Sequence, residues 1–466
     1  MRSSFALLSL AALASLNGCS SSTDPSPTML VLLPGQETDA FTRSPVPDHV
    51  TVRTIDGDGN VKTLVTAPWP ASAIDLGTLD QSLIASFEVE ASDAAGKTLL
   101  RGRSVFFGLW SLAGYEVPVF TSRIDESSRA PGSLPIGRRG GVASVVGGRF
   151  IVSAGGTNCR DALNASLEAA RISAYDLELW GPANPVLALP RSPLSMAVVA
   201  SDFGLIVDAS GASWYDFLTT DTVTPTAPNG TSFADIAGGA TVFAPDGTAY
   251  IVGATRDGAP TKTVLVVAPT LTLSAVQLST ARAGAAATWV PGAGLVVIGG
   301  SPDGPGVEVL AASDGAFVSL PYPGDSNVGA GAAPVDATHL VLAGGTDASG
   351  STPAPTRTID LACAAACVPT ALSVTFAKPV VPASVFSLGS NAALVVGEEL
   401  AEGNSTRTAA FLLESLAGTP TLREVPLREP RSGAIAVPLW DGTVGILNGE
   451  DPAGTSVRSV EVIVLK

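Results

Sequence analysis

The chain is poor in the residues that carry most catalysis and metal binding. Its 466 residues include two histidines, four cysteines and three methionines, and 15% are charged, against about 25% in an ordinary soluble protein. Two histidines, His49 and His339, leave almost no supply for a Ser-His-Asp triad or a histidine-rich metal site. No catalytic, cofactor-binding or metal-ligating constellation stands out. Basic residues are scarce too: 26 Lys and Arg face 42 Asp and Glu, for a net charge of -16. That balance argues against nucleic acid, whose binding needs basic residues to displace counterions. No segment reaches about 18 uninterrupted apolar residues, so no spanning helix is expected. What abounds is glycine (49), proline (35) and apolar side chains (46%). A Gly or Pro at roughly every sixth position excludes a helical bundle, and the apolar fraction excludes a disordered acidic chain.

The N-terminus reads as an address. Met1-Arg2-Ser3-Ser4 precedes an apolar stretch from Phe5 to Leu16, then Asn17-Gly18-Cys19. A core of about 12 residues is too short to span about 30 Å of hydrocarbon, and the pattern is that of a secretory signal peptide over residues 1–18. Leu16-Asn17-Gly18-Cys19 resembles the lipobox of bacterial lipoproteins, with Asn17 where that family usually has Ala or Ser. The resemblance implies cleavage before Cys19 and its acylation, and Ser20 implies sorting to the outer membrane. Residues 19–28 are small, polar and Pro-containing, a lipidated tether. The expected location is the bacterial cell envelope, anchored by lipid, facing either the periplasm or the exterior.

Residues 29–124 alternate as short strands with turns. His49–Ile55 and Val61–Thr66 flank Asp56-Gly57-Asp58-Gly59-Asn60, and Phe87–Ala91 and Thr98–Arg103 form a second hairpin. This spacing predicts a small β-sandwich of immunoglobulin-like architecture. The Asp-Gly run reads as a turn, because a calcium loop needs Gly and an acid where Val61 and Ala67 stand.

From about residue 138 a unit repeats: a small-residue strand, a turn, and an apolar strand ending in Gly. Val142–Val146 with Phe150–Gly156 is its fullest copy. Others include Ala237–Gly253, Leu295–Gly300, His339–Gly345, Ala393–Gly397 and Val444–Gly449, with a weaker one at Gly204–Gly211. A second landmark, a strand such as Ser173-Ala174-Tyr175-Asp176 or Thr356-Arg357-Thr358-Ile359, follows in phase. The first unit, with Arg139-Gly140, Gly155-Gly156, Tyr175-Asp176, Trp180 and Leu189-Pro190-Arg191, resembles a kelch repeat. The resemblance implies an all-β fold over residues 125–466, a β-propeller of about seven kelch-like four-stranded blades, or six if the weak unit is irregular. Kelch-type propellers include a copper oxidase class, but its His and Tyr set has no counterpart here. The last unit lacks a fourth strand, so a segment within 116–134 is expected to close the ring.

Cys363 and Cys367 lie between the third and fourth strands of their unit and are expected to form a disulfide in an oxidising compartment. Cys159 is left free or paired with one of them. If the repeats stack as blades, the loops after the Gly-terminated strands share one face. They carry Asp257, Asp303, Asp347, Glu398, Glu399, Glu402, Glu450 and Asp451, beside Arg160, Asp161 and Arg256. Such a ring is a candidate binding face. The reading is a monomeric, lipid-anchored binding or scaffold protein without cofactor, engaging the membrane through Cys19 and a protein or carbohydrate through its propeller. The alternatives are a propeller-based lyase or hydrolase of carbohydrates, and a purely structural surface protein.

Overall fold

Alternation shapes the first sheet. In the strand His49–Asp56 the side chains of Val50, Val52 and Thr54 turn inward while their neighbours are partly exposed, the period of two that a one-sided strand requires. The computed structural model describes residues 27–183, 187–311, 315–400, 405–440 and 442–465. The signal sequence, Cys19 and the tether to residue 26 lie outside the described residues.

The first eight-stranded sheet runs Val61–Pro68, His49–Asp56, Ile84–Ser92, Thr98–Arg103, Glu116–Arg123, Met29–Leu33 and Ala73–Asp75, with Phe107–Gly108 on the Ile84 strand. Both hairpins expected from the sequence are present. One strand changes partners midway: Glu116–Phe120 runs parallel to Met29–Leu33, and Thr121–Arg123 runs antiparallel to Leu100–Gly102. The two halves thereby share one core, which includes Leu30, Val52, Phe87, Val89, Leu100 and Val119. Thr28 is buried, its hydroxyl donating to the Leu112 carbonyl at 2.7 Å. Thr28, the last residue of the expected 19–28 tether, thus packs against the first domain. Asp56 accepts from the backbone of Asp58 and Asn60, so the Asp-Gly run is a self-capped turn.

Beyond residue 137 almost everything is antiparallel meander, and the arrangement is propeller-like. Val142–Val146, Phe150–Ala154, Ser173–Asp176 and Gly181–Ala183 form the first four-stranded sheet. Ser195–Val199 to Thr222–Val223, and Ala286–Val290 to Val318–Leu320, repeat it. A five-stranded sheet covers Ala240–Phe243 to Leu273–Arg282. An eight-stranded sheet joins two meanders, starting at Val328–Pro334 and Val380–Ser387, through the Gly345–Val380 pair. Strands such as Gly294–Ile298 are buried throughout, which is why they read as unbroken apolar runs: neighbouring sheets cover both faces. Each Val, Leu or Ile so buried contributes about 1.5–3 kcal/mol.

The final sheet is completed from the other end of the repeat region. Ser432–Trp440, Thr443–Glu450 and Glu461–Val464 receive Glu126–Arg129 as their fourth strand, with Glu461 opposite Arg129 and Val464 opposite Glu126. The closing segment thus falls within the stretch expected from the sequence. A loop of the first domain clamps it. Glu37 accepts from Arg129 N at 2.6 Å and from Arg129 Nε at 2.8 Å, and Gln36 N donates to Arg129 O at 2.9 Å. Gly35 has φ +75°, and a Cβ there would collide with the Arg129 carbonyl, so only glycine lets the loop approach so closely.

Trp180 sits where the first domain, the first sheet and the last sheet meet. Its ring lies 5.0 Å from that of Phe120, 6.4 Å from Tyr175 and 5.9 Å from Trp440. Glu37→Ala is expected to lower stability by about 1–3 kcal/mol in urea unfolding, the cost of stripping partners from half-buried donors. It is also expected to speed amide exchange in Glu126–Arg129. Unchanged midpoint and exchange would show that the clamp contributes nothing.

Candidate functional site

The first strands of successive meanders line one central channel of about 900 Å³. Its wall is made of small and apolar residues, among them Ala143, Met196, Ala287, Ala330 and Val437, with hydroxyls from Ser144, Thr241, Thr288 and Ser384. Phe243, Trp289 and Phe386 supply its aromatic surface, and Trp289 stacks on Tyr250 at 5.9 Å. No Asp, Glu, Lys, Arg or His is among the described residues lining it.

Charge is held instead in a repeated device just outside the wall. Arg138, Arg282 and Arg431 are almost fully buried. Each donates Nη1 to the carbonyl of the residue seventeen positions on: Gly155 at 2.9 Å, Gly299 at 2.6 Å and Asn448 at 3.2 Å. Arg191 reaches the Asp208 carboxylate at 2.8 Å over the same separation. Each arginine ties the approach to one inner strand to the end of the next strand. The acceptors Gly155, Gly299 and Asn448 have φ of +76°, +72° and +66°. That left-handed conformation explains the glycine that ends so many of these strands. At Gly155 a Cβ would also strike the Pro193 carbonyl of the neighbouring sheet.

Two buried glutamates complete the device. Glu308 lies 3.6 Å from Arg282. Glu461 accepts from Arg431 at 2.8 Å, from the backbone of Arg428 and Glu429 at 2.7 and 3.0 Å, and from the hydroxyl of Ser127 on the closing strand. Burial pulls the Arg431 guanidinium below its ordinary value, while Glu461 and then Glu429 oppose that shift. Arg191 stood out as part of the first repeat unit, but the buried arginines and glutamates did not, although an Arg at a constant distance before a strand-ending residue was there to be read. Arg139, the expected repeat arginine, is half exposed and pairs with Glu450 at 3.3 Å. The recurring residue is its neighbour Arg138.

The acidic residues expected in loops are mostly engaged. Asp347 accepts from Ser349 and Thr352, and the Ser349 hydroxyl leads in holding its carboxyl below the usual range. Asp451 accepts from the backbone of Ala453 and Thr455, and Asp161 from that of Leu163 and Ala165. Glu398, Glu399 and Glu450 lie in strands rather than loops, because Ala392–Leu400 and Thr443–Glu450 run on beyond the glycine step. Glu398 accepts from the Thr408 hydroxyl, Glu399 pairs with Arg407 at 2.6 Å, and Glu450 accepts from Asn158 at 2.9 Å. Asp257 is well exposed, 3.8 Å from Arg256. Asp303 follows the Ser301 turn, its backbone N–H donating to the Ser301 hydroxyl. Glu402 lies outside the described residues. Among the described residues no three Asp, Glu, His or Cys converge as a metal-ligand group.

Cys363 and Cys367 form a disulfide, and Cys159 is a buried free thiol. His339 opens its strand with Nδ1 3.1 Å from Asp336. The Asp336 carboxyl is held down to about 2, chiefly by the Thr338 backbone N–H. His49 begins its strand beside Asp48.

No family model and no curated protein matches the chain. Solved structures do. YjhT shares 15% identity over 58% of this chain and 93% of its own, with a TM-score of 0.38. Dihydro-heme d1 dehydrogenase NirN, in complex with DHE, shares 12% over 66% of this chain and 60% of its own, with a TM-score of 0.38. The calcium-binding protein regucalcin from Agrobacterium tumefaciens str. C58 shares 12% over 72% and 94%, with a TM-score of 0.36. At such identities and TM-scores these likenesses carry no argument about this chain.

Arg431→Met leaves Glu461 buried without its counter-charge and is expected to cost about 3–5 kcal/mol. Arg139→Met removes a half-exposed pair and is expected to cost no more than about 1 kcal/mol. Chemical unfolding of both variants checks the contrast; equal losses would refute the buried device as a stabilising element.

Proposed function

We propose that this chain is a lipid-anchored binding or scaffold protein of the bacterial cell envelope, whose propeller face engages a protein or a carbohydrate. The observation that supports it best is the channel: about 900 Å³, with hydroxyls and aromatic rings in its wall and no titratable side chain among the described lining residues. General acid–base catalysis needs a titratable group within reach of the reacting atom. A wall of this composition offers shape, hydroxyl hydrogen bonds and aromatic stacking, the means by which neutral polar ligands are held.

The finer architecture belongs to the same reading. In this reading the ring has seven blades: the eight-stranded sheet counts as two, the five-stranded sheet as one carrying an extra short strand, and the last is completed by Glu126–Arg129. The first domain, in which Met29–Leu33 runs parallel to the strand that changes partners, suits an immunoglobulin-like sandwich. Tyr175-Asp176 on a third strand and a buried Trp180 are consistent with a kelch-like unit. In this reading Cys19 carries the lipid and the protein sorts to the outer membrane.

Immobilised full-length protein should retain a specific protein or glycan from solubilised envelope fractions. Retention should fall at least tenfold when Thr288→Trp obstructs the channel. Retention of nothing, or retention indifferent to the obstruction, would contradict the binding role. Separately, mass spectrometry of the native N-terminal peptide is expected to find acylated Cys19 as the first residue. An unmodified Cys19 or an attached leader would overturn the anchor.

A further inference from the structure

The loop Phe106–Tyr115 presents large apolar side chains to solvent, and the local geometry holds them there. A short 3-10 turn, Leu109–Ser111, and a bond from Tyr115 N to Leu112 O at 3.0 Å turn Leu109 and Leu112 inward. Trp110 and Tyr115 consequently face out, 55% and 64% exposed. Ile84, 56% exposed, pairs directly with Gly108. A Cβ on Gly108 would run into the indole of Trp110, so that ring lies over the glycine. Directly opposed residues share a face, which sets Trp110 beside Ile84. Clustered exposed apolar side chains of this size mark interaction surfaces.

The path of the chain identifies the partner. Met29 N donates to Tyr115 O at 3.1 Å, and the Thr28 hydroxyl donates to Leu112 O at 2.7 Å. The polypeptide therefore leaves the domain at this same loop. Nine residue steps separate Thr28 from Cys19, a reach of at most about 30 Å. An acyl group on Cys19 would hold a bilayer within that distance of Trp110. Trp and Tyr favour the membrane–water interface, where an apolar ring and a polar tip are both accommodated. The charges around this edge are mixed: Asp80 and Glu116 are exposed, Lys62 acts on Asp80, and Arg103 lies over the Phe106 ring at 5.6 Å, a near balance that suits a zwitterionic surface.

We propose that the edge formed by Trp110, Tyr115 and Ile84 rests on the zwitterionic surface of the bilayer that carries the lipid anchor, a proposal that depends on the anchor reading of Cys19. Contact at this edge sets the orientation of the first domain on the membrane, where a tether alone would leave it free to swing.

The test couples a chain beginning at Cys19, through that thiol, to a maleimide-headgroup lipid in phosphatidylcholine vesicles containing brominated lipid. Cys159 is buried and Cys363 is bonded to Cys367, so Cys19 is the thiol that reacts. Bromine is expected to quench part of the tryptophan emission, and that part is expected to vanish in Trp110→Phe while coupling and thermal unfolding stay unchanged. No quenching, or equal quenching in both proteins, overturns the proposal. The two readings fail separately. Acylated native Cys19 without quenching removes the edge and leaves the anchor. Quenching with an unmodified native Cys19 removes the anchor and with it the proposal for the native protein, leaving only an edge that meets a bilayer when tethered to one.

Discussion

The buried carboxylate of Glu461 is the point on which the ring depends. Consecutive meanders have two ends, and here they meet without a covalent link, through the pairing of Glu126–Arg129 with Glu461–Val464. A carboxylate without solvent contact is costly unless every lone pair finds a donor. Glu461 receives Arg431 from its own sheet, Ser127 from the closing strand, and two backbone N–H groups from the approach to the last inner strand. Opening the seam would take the Ser127 hydroxyl from that carboxylate and bring water to it, while Arg431 and the two backbone N–H groups stay with it.

The first domain is part of the same closure. Its loop grips the closing strand through Glu37 and Gln36, and Phe120 reaches across to Trp180. Within the first domain, Arg123 braces the same segment by donating to the carbonyls of Ala40 and Pro45. A ring sealed by one short strand gains from this second layer of contacts. The first domain is thus a structural component of the propeller as well as the segment nearest the N-terminus.

The arginine device and the neutral channel are two sides of one constraint. Inner strands converge on the axis, where space is short, so the wall is rich in Gly, Ala and Val, with Phe243, Trp289 and Phe386 as its larger members. The loops above must still be held in register from one sheet to the next. Arg138, Arg282 and Arg431 do this from behind the wall by satisfying carbonyls that the left-handed turns expose. Charge is spent on architecture and kept away from the channel. Under the proposed binding role, that division leaves shape and neutral hydrogen bonds as the means of recognition.

Much of this was legible in the sequence because it is local. The alternation in His49–Asp56, the Asp56–Asn60 turn, the Gly-terminated strands and the need for a closing strand all follow from short-range patterns. The Cys363–Cys367 bond, four residues apart, is equally local. Legibility ended where partners come from afar. Arg139 attracted notice beside its glycine, yet Arg138 is the buried residue, because strand pleat decides which neighbour points inward. The acids counted as a loop ring proved to be turn caps at Asp347 and Asp451, and strand residues paired with Arg407 or Arg139 at Glu399 and Glu450. By itself the sequence determined an all-β chain of repeated Gly-punctuated strands, because hydrophobic period and turn chemistry act over a few residues. Only the tertiary structure decided which charges are buried, which acids remain available and that the channel is neutral, because those depend on groups brought together from opposite ends of the chain.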